Sequence, residues 1–158
     1  MKLSELNPRR GTYVGVKVLD PSPELLYDHM IKNGLPVSKS YFSNKLHTTI
    51  IYSRKYCPDI DAIPTIKHVA QFSSYDIFDG QNGKNVLVMK LSAPSLTARH
   101  VKLMAAHEAT YDYPTYQPHI TLSYNYDSQD TSGITPFHGD IILGEEYVED
   151  LDLDWNGK

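Results

Sequence analysis

The sequence predicts a mixed α/β fold in which two halves of similar layout each run from a helix into a strand that opens on a histidine. Three observations carry this. Segments with apolar residues at alternate positions are interleaved with two segments whose apolar residues recur at helical spacing. The turn-forming run Gln81-Asn82-Gly83-Lys84 separates two of the strand-like segments, as a hairpin requires. And the pattern His-x-Thr heads a strand-like segment twice, at His47 and at His119.

Taken in order, residues 12 to 18 predict a strand with Thr12, Val14, Val16 and Val18 on one face. Asp20-Pro-Ser-Pro then opens a helix, with Ser22 expected as its N-cap and Pro23 at the first helical position. Leu25, Leu26 and His29 or Met30 give its stripe, and Gly34 ends it. Residues 46 to 53 form the next strand and 54 to 64 a loop holding Pro58 and Pro64. Residues 66 to 78 alternate loosely and predict one long or bent strand, which the hairpin turn joins to a strand over 86 to 91. A second helix spans Ser95 to about Glu108, with Leu96, Val101, Met104 and Ala105 on one side. A tyrosine-rich loop follows over 110 to 117, then a strand over 119 to 126. Two more short strands are expected within 137 to 153.

The bulk properties narrow the function. The chain has 158 residues, enough for a core without disulfides or metals. It is expected to be a single domain over residues 1 to 158, and a monomer. The lone cysteine, Cys57, forms no internal disulfide and no multi-cysteine metal site, and suits a reducing compartment. No apolar run approaches the roughly 20 residues of a membrane span, and the N-terminus lacks a secretory apolar stretch, so a cytoplasmic location is expected. A net charge of −4 disfavours attraction to a duplex or an anionic membrane, while leaving room for a small anionic ligand held by local donors. Tyrosine, at 12 copies, serves sheet faces and flat, base-like ligands alike.

The chemistry lies in the two histidine strands. Residues i and i+2 of a strand share a face. In Leu46-His-Thr-Thr-Ile-Ile-Tyr-Ser this puts His47, Thr49 and Ile51 on one side, with Leu46, Thr48, Ile50 and Tyr52 on the other. In His119-Ile-Thr-Leu-Ser-Tyr it puts His119, Thr121 and Ser123 opposite Ile120, Leu122 and Tyr124. Two such strands around one groove would supply two imidazoles and two hydroxyls. Transfer at a phosphodiester needs a base for the nucleophile's proton and an acid for the leaving oxygen. Histidine, with an ordinary pKa near 6.5, does either at neutral pH. Threonine hydroxyls can donate to the non-bridging phosphate oxygens. One His-x-Thr among 7 histidines is unremarkable by chance; two copies, each opening an apolar strand after a helix, favour a shared site.

Other constellations carry less. Gly80-Gln-Asn-Gly-Lys84 has the wrong spacing for a phosphate loop. His107-Glu108 lacks the second histidine of a zinc-protease helix. His100 and His107 are expected on a solvated helix face, and His29, His68 and His138 have no partner at ligand spacing. His47 and His119 would need a third metal ligand that the sequence does not name.

The segments Leu46-His-Thr-Thr-Ile-Ile and Gln117-Pro-His-Ile-Thr-Leu resemble the paired motifs of the 2H phosphoesterase superfamily. Over nearly the whole chain, the Gly11-Thr-Tyr-Val-Gly-Val-Lys-Val opening and the Glu149-Asp-Leu-Asp-Leu-Asp-Trp ending are similar to the phage anti-CBASS nucleases. The resemblance implies a bilobal fold of α+β type, with two antiparallel sheets flanking a central cleft and helices outside. It implies a metal- and cofactor-free hydrolase acting on 3′,5′ bonds of the cyclic di- and trinucleotides of a bacterial antiviral alarm, in the infected host's cytoplasm. It carries over His47, Thr49, His119 and Thr121 as the catalytic set and Tyr13, Glu149 and Trp155 as nucleotide contacts. The residues lend the latter some support. Tyr13 lies opposite Val14 and Val16, beside Gly15, which leaves room for a ligand. Glu149 shares strand parity with Leu151, Leu153 and Trp155, and a carboxylate there can accept a base N–H. The plainer alternatives are a water-facing Glu149 and a Trp155 that packs a terminus. The rival functions are a 2H enzyme for RNA termini or 2′,5′-oligoadenylates, and a protein that sequesters nucleotides without cutting them.

Overall fold

A computed structural model of the chain describes residues 9–80 and 83–154. Its elements are β1 (Arg10–Val18), α1 (Ser22–Lys32), α2 (Lys39–Asn44), β2 (His47–Ser53), β3 (Lys67–Asp79), β4 (Asn85–Ser92), α3 (Pro94–His107), β5 (His119–Tyr126) and β6 (Ile141–Asp152). The expected mixed α/β order is present. The six strands form one antiparallel sheet in the order β2-β1-β6-β3-β4-β5. The expectation of two separate sheets is corrected by β3. Its first residues, Lys67 to Ala70, pair with β6, whereas Gln71 to Asp79 pair with β4. One strand long enough to serve two neighbours in succession fuses what would be two three-stranded sheets. The strands at the ends of the order, β2 and β5, nevertheless come back into contact, so the sheet is strongly curled. Both edge strands are those that begin with His-x-Thr.

The core lies on one face. Val14, Val16 and Val18 of β1, Ile50 and Ile51 of β2, Leu87, Met89 and Leu91 of β4 and Ile120 and Leu122 of β5 pack there against Leu26 and Met30 of α1, Phe42 of α2 and Leu96 and Leu103 of α3. Burying side chains of this size contributes roughly 1.5–3 kcal/mol each before entropy is counted.

Several local expectations change. α1 begins at Ser22, but Pro21 is the capping residue; the Ser22 hydroxyl instead accepts from the Ile142 N–H (2.9 Å) and joins the helix to β6. Leu25 is exposed, and the stripe of α1 is Leu26 and Met30. On α3 the buried face is Leu96, His100 and Leu103, one helical turn apart, while Val101 is 59% exposed. The two short strands expected after residue 137 are the single β6, whose pairing with β1 shifts register after Gly15, near the positive φ of Glu145 (51°). α2 went unpredicted: at 6 residues it is too short to display a helical period. Across the hairpin Asp79 stands opposite Asn85, and Gly83 takes φ 71°, the left-handed conformation the turn needs; Gln81 and Asn82 lie outside the described residues.

Candidate active site

Each histidine strand is anchored in the same way. The His47 Nδ1–H donates to the Lys45 carbonyl (2.8 Å), and the His119 Nδ1–H donates to the Gln117 carbonyl (3.0 Å). A ring whose Nδ1 is engaged two residues upstream presents Nε2 as its free nitrogen, ready to hold or release a proton. The bonds thus fix tautomer and orientation alike in both copies.

The two strands also share a bulge after the threonine. Pairing with β1 runs Gly15 to Thr49 but Val14 to Ile51, so Ile50 is the extra residue. Pairing with β4 runs Val88 to Thr121 but Leu87 to Ser123, which makes Leu122 the extra one. Both extra residues are buried in the core. The bulge overturns strict alternation: Ile51, expected beside His47 and Thr49, turns into the core, and Tyr52 lies opposite Tyr13 on the histidine face. Ser123 is likewise moved out of step with Thr121.

As edge strands, β2 and β5 leave carbonyls without a sheet partner, and side chains satisfy them. The Tyr116 hydroxyl donates to the Thr49 carbonyl, and the His100 Nδ1–H donates to that of Ile50 (2.7 Å). The Tyr116 and His100 rings stack at 4.0 Å. On the other edge the Tyr41 hydroxyl donates to the Thr121 carbonyl (2.8 Å). His100, expected in water, is therefore buried and structural, and its pKa is lowered chiefly by that burial.

Tyr13 belongs to the histidine face, between Tyr52 of β2 and Glu149 of β6. Its hydroxyl shares a hydrogen bond with Thr49 Oγ1 (2.9 Å), and its ring meets His47 edge-on at 6.3 Å. Burial holds the phenol protonated, far above its ordinary pKa. The space expected over Gly15 for a ligand is filled instead by aromatic rings. A Cβ there would lie 2.8 Å from the Tyr147 hydroxyl and 2.9 Å from the Tyr13 ring.

Two cavities flank the histidines. One, of about 490 Å³, is lined by Lys17, Lys45, His47, Tyr147 and the exposed Glu149. The other, of about 710 Å³, is lined by Phe78, Lys90, Tyr111, Tyr113 and His119. Phe78 meets the His119 ring edge-on at 5.4 Å. The His119 pKa is lowered, chiefly by burial; the hydrogen bond to the Gln117 carbonyl opposes this, and the positive charges of His47 and Lys90 add smaller lowering effects. The structure thus gathers His47, Thr49, Tyr13 and Glu149 on one side and His119 and Thr121 on the other. Trp155 lies outside the described residues. Lys17, Lys90, Phe78 and Tyr147 were missed. Strand register is the signal that finds them, because each is placed by its partner strand and not by its own neighbours in sequence.

The remaining histidines sit elsewhere. His68 is buried with Nδ1 bonded to Ser95 Oγ (2.8 Å), and His29 Nε2 donates to the Thr135 carbonyl (2.8 Å). Cys57 is buried, its N–H bonded to Thr12 Oγ1 (2.7 Å). Among the described residues no group of three or more His, Cys, Asp and Glu is placed to hold a metal, and no helix is long and apolar enough to cross a membrane.

Comparison with known proteins gives a consistent match. The family model described as "Anti-CBASS protein Acb1" covers residues 10–158. A protein of that name from Vibrio phage KVP40 is 37% identical over 157 residues, covering 98% of this chain and 97% of the relative. One from Acinetobacter phage Ac42 is 33% identical over 98% of this chain and 99% of the relative. The one from Enterobacteria phage T4 is 35% identical over 92% and 91% respectively. The chain belongs to the Acb1 family of anti-CBASS proteins.

Proposed function

We propose that this member of the Acb1 family counters CBASS signalling by hydrolysing 3′,5′ bonds of cyclic di- and trinucleotides at a two-histidine site of the 2H phosphoesterase type. The observation that carries the reading is the repeated anchor: two histidines on edge strands, each with Nδ1 tied to a carbonyl two residues back and Nε2 left for chemistry.

In this reading one imidazole takes the proton of the ribose 2′-OH as its oxygen attacks phosphorus. The 2′-O–P bond forms, the P–O5′ bond breaks, and the other histidine gives its proton to the departing O5′. The resulting 2′,3′-cyclic phosphate then opens with water, the two histidines exchanging roles. His119 suits the first base, since burial and nearby positive charge favour its neutral form. His47 then serves as the acid. Thr49 and Thr121 donate to the non-bridging oxygens, with the Thr49 hydroxyl oriented by Tyr13. Tyr13 and Glu149 border the nucleotide on the His47 side, with Trp155 as a further contact. Each proton transfer is worth roughly 10²–10⁴-fold in rate. No step calls on a metal or cofactor.

The test is incubation with 3′,5′-cyclic dinucleotides and trinucleotides in EDTA, with linear RNA alongside and products resolved by chromatography. Cleavage of the rings is expected, and a ring lacking both 2′-hydroxyls should bind without being cut. Turnover lost in chelator and restored by a divalent metal would sink the two-histidine mechanism. Comparable cutting of the deoxy ring would make water the nucleophile.

A further inference from the structure

Two lysines stand where the chemistry of two histidines would not place them by itself. Across the β1–β2 pair Lys17 is the partner of His47, and across the β4–β5 pair Lys90 is the partner of His119. Directly opposed residues of an antiparallel pair share a face with Cβ atoms roughly 4.5–5.5 Å apart, and like charges so placed repel. Either imidazole carries positive charge during part of a two-histidine cycle, so a lysine beside each is unfavourable unless an anion comes to lie nearby. The repulsion is already felt at His119, whose charged form Lys90 disfavours.

The lysines are free to respond to such an anion. The Lys90 ammonium meets Asp76 at 2.7 Å, but both side chains are partly exposed, at 30% and 42%, and such pairs are weak enough to exchange. Lys17 is exposed and has no ion-pair partner among the described residues. Each lysine lines the cavity on its own histidine's side, so the two cations stand on opposite flanks of the place between the imidazoles.

We propose that Lys17 and Lys90 bind the phosphates neighbouring the scissile one, one on its 5′ side and one on its 3′ side. This rests on the phosphodiesterase reading and narrows its substrate. A terminal cyclic phosphate has a neighbour on one side only, and a dinucleoside monophosphate has none. A ring presents a phosphate on both sides of every linkage, and a ring of three nucleotides is the smallest in which these are two different phosphates, as cations on opposite flanks require.

The experiment compares Lys17→Gln, Lys90→Gln and the corresponding Lys→Arg variants on a 3′,5′-cyclic trinucleotide and on a linear dinucleoside monophosphate, reading kcat and KM separately. Each Gln variant should raise KM for the ring, with a loss in kcat/KM about tenfold larger than on the single-phosphate compound, and Arg should restore most of it. Equal losses on both compounds would mean that the lysines serve the scissile phosphate and would overturn the proposal, as would no loss on the ring. A wild type that cuts neither compound sinks the phosphodiesterase reading instead. Calorimetric titration with the uncut ring then decides the lysines separately: binding weakened about tenfold by each Gln change upholds them, and absent or unweakened binding overturns them.

Discussion

Beside His47 stand two exposed charged residues of opposite sign, Lys17 and Glu149, at the rim of the smaller cavity. Beside His119 stand the ring of Phe78 and a partly buried Lys90, in the larger cavity with Tyr111 and Tyr113. The backbone makes no such distinction: both strands are edges, both bulge after the threonine, and both tie Nδ1 to the carbonyl two residues back. The difference teaches how one local design, used twice, can stand in two unlike electrostatic settings. Matching hydrogen bonds orient the rings, while burial and nearby positive charge favour the neutral form of His119.

The strongest test of that pairing removes the rings. His47→Ala and His119→Ala should each lower kcat by roughly 10²–10⁴-fold with far smaller effects on binding, and the double variant should lose less than the product of the two. Alanine at His29, His107 or His138 should leave turnover nearly intact. If one of those changes abolished activity in a folded protein while His47→Ala did not, the site would lie elsewhere.

The threonines come next and should separate the halves. Thr49→Val and Thr121→Val should each cost about 1.5–3 kcal/mol of transition-state binding, roughly 10–150-fold in kcat/KM. Only Thr49 has its hydroxyl oriented by a second side chain. Tyr13→Phe should therefore lower kcat in wild type and add little once Thr49 is Val, while still costing activity in Thr121→Val. Equal effects of Tyr13→Phe in both backgrounds would show that the Tyr13–Thr49 bond orients nothing.

The pH dependence sharpens the comparison further. A first-step base must be neutral, and His119 is held below the ordinary histidine value, so the acid limb of kcat/KM should fall below about pH 6.5. Because Lys90 contributes to that lowering, Lys90→Gln should move the limb upward. Stability follows the same sign. His68, His100 and His119 all have lowered folded pKa values, so the unfolded chain takes up their protons first as pH drops. Stability should be full above about pH 6.5 and decline below it, as urea midpoints across pH would record.

Much of this was legible in the residues. The His-x-Thr strands, the valine face of β1 and the hairpin all follow from period and turn chemistry. What escaped depended on pairing. A bulge is decided between strands, so parity within Leu46-His-Thr-Thr-Ile-Ile-Tyr could not reveal that Ile51 and Tyr52 exchange faces. The service of β3 to two neighbours depends on where β6 begins, almost half the chain away, and it turned an expected pair of sheets into one. His100 seemed a surface histidine because its partner, the Ile50 carbonyl, is 50 residues distant and orphaned only by the edge.

That edge supplies the smallest expected effect and the one closest to the design. Tyr116 and Tyr41 each cap the carbonyl of a site threonine, Tyr116 from the loop after α3 onto β2 and Tyr41 from α2 onto β5. Each bond therefore spans the two halves and bears on a residue two positions from a histidine. Phenylalanine at either position keeps the ring and its packing and removes only the hydroxyl. It should cost about 1 kcal/mol of stability, the ordinary worth of one hydrogen bond, with somewhat more at Tyr116, whose deeper burial leaves the Thr49 carbonyl less able to find water. A strand freed at its carbonyl can shift by a fraction of an ångström, which touches transition-state geometry before it touches affinity. The expectation is a kcat reduced several-fold with KM nearly constant in both variants, and a larger fall for Tyr116→Phe, because Thr49 loses its backbone restraint while Tyr13 still pulls on its hydroxyl. Stability losses with unchanged kcat would mean that the caps merely close the sheet edges, and the threonines would then owe their placement to the bulges alone.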